Sequence, residues 1–578
     1  MSDTQPPRGI AKGLTNYGDA GFAAYLRRSF IKSMGYTNEA LAKPVVGIAS
    51  TGSGFNNCHR AMPELVEAVK RGVMMAGGLP IEFPTVSLGE VFLSPTSLMF
   101  RNLMAMVTEE MITAQPMDAV VLIGGCDKTV PAQLMGAASA NVPAVQLVTG
   151  PMMTGRHQGE RLGACTDCRR FWAQYRAGKV SDHEIVQIES SLATTAGTCA
   201  VMGTASTMAC LAEALGMMLP GTAAIPSVHA DRLRAAERSG ALAVSLIERP
   251  IRPREILTPQ AFENALRVLL AIGGSTNAIV HLTAIAGRVG HRIDFETLNR
   301  LSDTTPVLVD LKPTGQGYME DFFAAGGMSA VLDRLKPLLN LDVLTITGET
   351  LGQRLAAEQA ANLWSDAKMI RPLSDPIDPQ GGLVALRGSL APDGAILKRS
   401  AADARLFESE GRAVVFTDLD DLAQRVDDPD LDIQPNDFMV LQNAGPTSPS
   451  GMPEAGYLPI PKKLAQAGVK DMVRISDARM SGTAFGTIVL HVAPEAALGG
   501  PLALVRNGDR IRLSIANQRI DLLVDEAELA QRRAQWQAQQ PQREATQAVR
   551  GYRQLYLKHV LQAPEGCDFD FLQGRPSA

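Results

Sequence analysis

Residues 116–129 read PMDAVVLIGGCDKT, and the order of residue types in this stretch decides the fold class. Met117–Ile123 is a short apolar run rich in β-branched residues, the mark of a strand buried on both faces. It runs straight into Gly124, Gly125, Cys126, Asp127 and Lys128, which make a loop and not more strand. Working outward, Pro44–Ser50 (PVVGIAS) and Pro143–Val148 repeat the strand pattern, and Met62–Ala76 has the amphipathic period of a helix. Such alternation predicts an α/β fold with a parallel sheet flanked by helices. Ligands in such sheets bind beyond the carboxyl ends of the strands, which directs attention to the loops.

Further along, a helical stretch from Glu184 to Met218 is broken at Thr194–Thr198, and Gly273–Asn277 precedes another apolar helix. Arg371–Gly382 (RPLSDPIDPQGG) holds three prolines and then two glycines. It divides the chain into an N-terminal domain, 1–375, and a C-terminal domain, 376–578. Beyond it GGLVAL, AVVFTDL, FMVLQNAG, MVRIS, TIVLHVA, LALVRNGDRIRLSI and RIDLLVD follow one another closely, many joined by Gly, Asn or Asp turns. This texture predicts a β-rich barrel or sandwich. A charged helix over Glu526–Gln540 and a loosely patterned tail finish the chain.

Fifty-five basic against 60 acidic side chains leave a formal charge of −5, too mild for nucleic acid or an anionic membrane as partner. No apolar run approaches the roughly 18 residues of a membrane span. The opening MSDTQPPRGIAKG lacks the basic-then-apolar order of a signal peptide, so a reducing cytoplasm is the expected location. Seven cysteines spread over 578 residues are no disulfide framework and need another explanation.

Cys58, Cys126 and Cys199 each sit in a polar or glycine-rich loop ahead of a predicted helix, where partial positive charge and free N–H groups favour thiolate. Three such thiolates could hold an iron–sulfur cluster; the alternative is that each is a small buried hydrophobe. A cluster with three ligands instead of four keeps a position open for substrate, which points to catalysis over electron transfer. Glu90 in SLGEVF, Asp127 beside Cys126, and Glu454 in GMPEAG are carboxylates in loops from which a Mg²⁺ ligand could project, or they are solvated loop residues. GGCDKT is no phosphate loop, because Asp127 stands where a glycine must precede Lys128. Ser481 and Thr483 follow the strand candidate MVRI in a small-residue turn, but no GxSxG elbow supports a hydrolase. Cys165 and Cys168 form a CxxC without a second pair at zinc-site spacing, so neither a zinc scaffold nor a redox role gains much from it. Of the eight histidines, only His59 stands out, because it adjoins Cys58.

Taken in order, GGCDKTVPAQLMGAASANVPAV, TTAGTCAVMGTASTMACLAEALGM, AIGGSTNAIVHL, GMPE and SDARMSGTAFGTIVLHVAPEAALGGPLALVRNGDRI closely resemble the dihydroxy-acid and phosphogluconate dehydratase family. The match runs over nearly the whole chain. PMDAVVLIGGCDKT, LKPTGQGYMEDFFAAGG and LDIQPNDFMVLQNAGP look more like the sugar-acid branch, such as arabinonate dehydratases. The resemblance implies a large N-terminal α/β domain, a C-terminal β-barrel-like domain, and a homo-oligomer, dimer or tetramer, with the active site near a subunit interface. By position, Cys58, Cys126 and Cys199 match the cluster ligands, 2Fe-2S in the sugar-acid branch and 4Fe-4S in other members. Glu90, Asp127 and Glu454 match Mg²⁺ ligands, Lys128 a lysine that becomes carbamylated, and Ser481 the catalytic base, with Thr483 close by.

The expected activity is dehydration of a sugar acid, L-arabinonate or another pentonate, to its 2-keto-3-deoxy acid. The nearest alternative substrate is a branched dihydroxy acid of valine and isoleucine biosynthesis. A reading from another class, an iron–sulfur redox sensor or electron carrier, leaves Ser481 and Lys128 without a purpose. Gly52–His59 departs from the Thr-Pro-Cys-Asn common in relatives, and Ser450 replaces a frequent proline. Both departures bear on which sugar acid is used more than on the reaction.

Overall fold

The computed structural model of the chain describes residues 7–14, 17–361, 364–546 and 550–574. Strands β1 (Val45–Ser50), β2 (Leu79–Pro84), β3 (Ala119–Gly124) and β4 (Ala144–Val148) form one parallel sheet in the order β2-β1-β3-β4. β3 and β4 are buried at every residue, as the unbroken apolar runs require when helices cover both faces. The strand LPIEFP is not evident from its pattern because it carries two prolines. At the sheet edge, where β2 lies, missing N–H donors cost little.

Helices α1 (Met62–Met75), α2 (Ser97–Ala114) and α3 (Thr129–Ala140) connect these strands. A small hairpin of β5 (Gly155–His157) and β6 (Glu160–Leu162) then leads into α4 (Thr166–Arg176). The interrupted helical stretch resolves into a helix over Asp182–Leu192 and α5 (Thr204–Ala214), separated by a loop that carries Cys199. Next come α6 (Ala230–Glu248) and α7 (Asn277–Arg288). α6 packs on α1 at backbone contact distance: a Cβ on Gly72 would lie 1.9 Å from the Glu237 carbonyl oxygen, and one on Gly240 2.3 Å from that of Val69.

The second sheet has eight strands: β7 (Val384–Leu386), β8 (Gly394–Leu397), β9 (Glu408–Phe416), β10 (Phe438–Leu441), β11 (Arg474–Ser476), β12 (Ile488–Ala493), β13 (Arg510–Ser514) and β14 (Arg519–Leu522). Their order is β14-β13-β9-β10-β11-β12-β8-β7, and a bridge between Arg387 and Arg519 joins the two outer edges, so the sheet nearly closes into a barrel. The centre, β9 to β12, is parallel, with antiparallel strands only on its flanks. Close spacing alone reads as hairpins, but a short helix over Leu419–Arg425 and another over Lys462–Gln466 supply crossovers within the parallel part. The apolar LALV run is mostly a single 3₁₀ turn, Pro501–Leu504, and not strand.

The charged helix is present over Glu526–Thr546. The loosely patterned tail is anchored rather than loose. It forms α8 (Tyr552–His559) and buries Tyr556, Cys567 and Phe569. Arg101 of α2 donates to the carbonyls of Gly566 and Cys567, each at 2.8 Å, and Arg288 of α7 pairs with Asp568 at 2.6 Å, both side chains buried. Among the described residues, no helix is long and apolar enough to cross a membrane.

Candidate active site

The strand order reverses between β1 and β3, because the chain moves from β1 outward to β2 and then returns to the other side of β1 for β3. A crevice at the carboxyl ends of the strands is expected at such a switch point. Cys58 follows β1 there, in a 3₁₀ turn over Asn57–His59, and Cys126 follows β3. His59 ties the two loops together. Its Nδ1 lies 2.7 Å from the Thr51 carbonyl, and its Nε2 accepts from the backbone N–H of Gly125 at 3.0 Å and of Cys126 at 3.2 Å. A ring that donates at one nitrogen and accepts at the other is neutral. Burial favours that form and lowers its pKa to about 4, against the opposing hydrogen bond to Thr51.

Cys199 arrives from the loop before α5, which runs beside the chain leaving β4 through a bridge between Pro151 and Thr198. The three thiols sense one another. Cys58 is pushed well above the ordinary thiol range by a hydrogen bond with Cys126, by burial, and by the charges of Cys126 and Asp127. Cys199 is raised as well: a hydrogen bond from Cys165 works to lower it, but burial and the charges of Asp127, Cys58 and Cys126 outweigh this.

The hard oxygen donors gather next to these thiols on Lys128, which is fully buried at the start of α3. Lys128 Nζ donates to Glu90 Oε2 at 2.9 Å and lies 3.7 Å from Asp127 Oδ2 and 3.8 Å from Glu454 Oε1. Glu90 comes from the loop after β2 and also accepts from Ser97 Oγ. Burial alone would raise the Glu90 carboxyl, but Lys128 and Arg479 together hold it below the usual range. Asp127 goes the other way, up to about 7, through burial to which Glu454 and Glu90 add and which Lys128 only partly offsets.

Glu454 is fixed by two donors, Asn277 Nδ2 at 2.9 Å and Arg479 Nη1 at 3.2 Å. Arg479 is fully buried and also reaches Thr96 Oγ1 at 3.0 Å and the Met452 carbonyl at 2.9 Å. Two residues on, Ser481 Oγ and Thr483 Oγ1 share a hydrogen bond of 2.8 Å. Between them Gly482 is pressed against the N-terminal half: a Cβ there would lie 2.7 Å from both Ser275 Cβ and the Thr204 nitrogen. Thr204 in turn bonds Ser275 Oγ at 2.9 Å and accepts from Asn277 Nδ2 at 3.1 Å, so the Ser481 loop joins the Glu454 carboxylate through three side chains.

All nine site residues singled out in the sequence therefore lie around one region. Arg479, Asn277 and Thr204 were missed as individual positions, although each falls inside a quoted segment. A buried arginine that braces a carboxylate has no sequence signal of its own. Lys398 was also missed. It is fully buried, donates to the Gly482 carbonyl at 3.3 Å, and burial lowers its pKa to about 7.

Two groups of side chains have the chemistry to suit a soft and a hard cofactor. Three convergent thiols make a soft donor set, and the mutual proximity that now raises two of them is what cationic iron would reverse. Among the described residues, the three carboxylates share two cationic partners, Lys128 and Arg479, an excess of acid that a divalent cation would relieve. Among the described residues, no three His, Cys, Asp or Glu side chains already stand in ligating geometry: the carboxylates close on the Lys128 ammonium and the thiols on each other.

Comparison with known proteins identifies the family of the chain. The family model described as dihydroxy-acid/6-phosphogluconate dehydratase N-terminal matches residues 43–354, and its C-terminal counterpart matches residues 368–567. The chain is 47% identical over 559 residues to an L-arabonate dehydratase of Azospirillum brasilense, covering 96% of this chain and 95% of the relative. It is 46% identical over 561 residues to an L-arabinonate dehydratase of Rhizobium leguminosarum bv. trifolii, covering 96% and 95%. A 6-deoxy-6-sulfo-D-gluconate dehydratase of Pseudomonas putida is 43% identical over 554 residues, covering 95% and 94%. With both of its halves matched and relatives aligned along almost its full length, the chain belongs to the dihydroxy-acid/6-phosphogluconate dehydratase family and is a hydro-lyase.

Proposed function

We propose that this hydro-lyase dehydrates a sugar acid, L-arabinonate or another pentonate, to its 2-keto-3-deoxy acid. The observation that carries the reading is the gathering of three carboxylates on one buried lysine beside three convergent thiols. The names of the similar relatives, two of them acting on L-arabinonate, support the substrate class. Cys58, Cys126 and Cys199 would hold an iron–sulfur cluster, 2Fe-2S in preference to 4Fe-4S. Glu90, Asp127, Glu454 and a carbamylated Lys128 would hold Mg²⁺. Carbamylation adds CO₂ to the lysine amine with loss of one proton, and it turns a group with no free lone pair when charged into an oxygen ligand.

When bound, the two metal centres supply Lewis acidity toward the substrate's carboxylate, its C2 oxygen and its C3 hydroxyl. The chain's own part is proton movement and positioning. Ser481 Oγ takes the C2 proton, for which it must act as an alkoxide, since a neutral serine is far too weak a base. Thr483, 2.8 Å away, donates its hydroxyl hydrogen to that oxygen and favours the charged form. The C3 hydroxyl leaves, and the enol tautomerises to the 2-keto acid. Arg479 and Asn277 keep Glu454 in place throughout.

The reading includes a cytoplasmic homodimer or homotetramer. The exposed Phe55, Val91 and Phe92, flanking Cys58 and Glu90 in sequence, support an interface beside the site. The test is keto-acid formation by anaerobically purified, iron-loaded protein from L-arabinonate, xylonate, gluconate and dihydroxyisovalerate. A pentonate is expected to turn over fastest. Inactivity toward all four, or preference for dihydroxyisovalerate, would overturn the assignment.

A further inference from the structure

Cys165 and Cys168 have no part in the proposed reaction, yet the fold brings them to its centre. Cys165 Sγ lies 3.0 Å from Cys199 Sγ, and Cys168 follows three residues on, its thiol pushed up by its interaction with Cys165 and by burial. The segment has little freedom. Asp167, buried between the two cysteines in sequence, accepts from the Gly163 N–H at 2.8 Å, from Lys312 Nζ at 3.2 Å and from the Tyr318 hydroxyl at 3.0 Å. Thr166 Oγ1 donates to the Thr483 carbonyl at 3.1 Å. Residues 165–168 thus touch the thiol group on one side and the Ser481–Thr483 loop on the other.

We propose that Cys165, backed by Cys168, is a positioning residue that donates its S–H to the Cys199 sulfur and so sets the electron density of the cluster Cys199 would hold. This rests on the reading of Cys199 as an iron ligand. A ligating cysteine is a thiolate and can only accept, so the sulfur 3.0 Å from it must be the donor. Cys168 then donates to Cys165, and a chain of thiols ends on the ligand. Hydrogen bonds to ligand sulfurs are one of the means by which a protein tunes cluster potential. A fourth ligand and a hydrogen-bond donor at this place have opposite signatures. Removing a thiolate ligand takes away negative charge and raises the reduction potential. Removing a donor leaves the reduced, more negative cluster less stabilised and lowers it.

The test is an EPR-monitored redox titration of the anaerobically purified holoprotein and of its Cys165→Ala, Cys165→Ser and Cys168→Ala variants, with iron measured on the same samples. Iron per chain is expected to stay constant. The potential falls in Cys165→Ala, recovers most of the way in Cys165→Ser, whose hydroxyl still donates, and falls by a smaller step in Cys168→Ala. A potential equal to the parent's overturns the proposal. A rise in potential with altered g-values also overturns it and makes Cys165 a ligand. If Cys165→Ala holds no iron, an unshifted Cys168→Ala potential is the overturning result. A parent protein without iron removes the reading of Cys199 as a ligand, and this inference with it; a loaded parent with unshifted variants removes this inference alone.

Discussion

Lys128 and His59 show how single residues carry the site. A fully buried lysine is normally excluded by desolvation unless paired, and here the pairing is excessive, with three carboxylates within 3.8 Å. His59 is the opposite case, a buried ring kept neutral so that one nitrogen accepts from the Gly125 and Cys126 amides. Its pKa falls from 6.5 to about 4 on folding. Between those values the unfolded chain binds a proton that the folded chain does not, so stability is complete above pH 6.5 and declines as pH falls toward 4. The loss from this residue reaches about 3 kcal/mol at the lower end, at about 1.4 kcal/mol per pH unit. His281 and His491 are buried and lowered as well, with the same sign, so the measurement is a difference. His59→Gln should flatten the fall in urea midpoint between pH 6.5 and 4 relative to the parent protein. Equal slopes in the two proteins would contradict the neutral-histidine clamp.

At the scale of elements, both sheets deliver chemistry from the carboxyl ends of parallel strands. β1 leads to Cys58, β2 to Glu90, β3 to Cys126, Asp127 and Lys128, and β11 to Arg479, Ser481 and Thr483. This was legible where strand and loop were both plain, as in MDAVVLIGGCDKT, because an apolar run ending in Gly, Cys and Asp states its own boundary. It was not legible in β2, where two prolines hide an edge strand, nor in the parallel pairing of β9 to β12, which depends on crossovers too short for a clear helical period. The nine candidate residues are read from order along the chain and family resemblance, and the fold places them around one region. Arg479, Asn277 and Lys398 escaped because their importance lies in what they touch across the fold. Gly482 is the element-scale test. A methyl group there would meet the Thr204 backbone at 2.7 Å, so the loop must retreat. Gly482→Ala should cut kcat by about a hundredfold while leaving iron content and far-UV circular dichroism unchanged. An alanine variant with parental kcat would show that the close approach does not position Ser481.

Across the whole molecule, the site exists only because the two halves meet. The N-terminal half supplies the thiols, Lys128 and two of the carboxylates, while the C-terminal half supplies Glu454, Arg479 and Ser481. Arg479 reaches back to Thr96, and Gly482 rests on Thr204 and Ser275. The chain end adds a further clamp, with Asp568 paired to Arg288 and the Gly566 and Cys567 carbonyls held by Arg101. A mild overall charge of −5 is compatible with the proposed function, in which an acidic substrate would be held by local cations rather than by a basic surface. The central claim is that Ser481, delivered from one half, removes the C2 proton from a substrate held by the other. Its most direct test is the dehydration rate of iron-loaded Ser481→Ala on the best substrate of the sugar-acid panel. The account predicts a fall of about a hundred- to ten-thousandfold with iron content unchanged; a Ser481→Ala protein that dehydrates at the parental rate would contradict it.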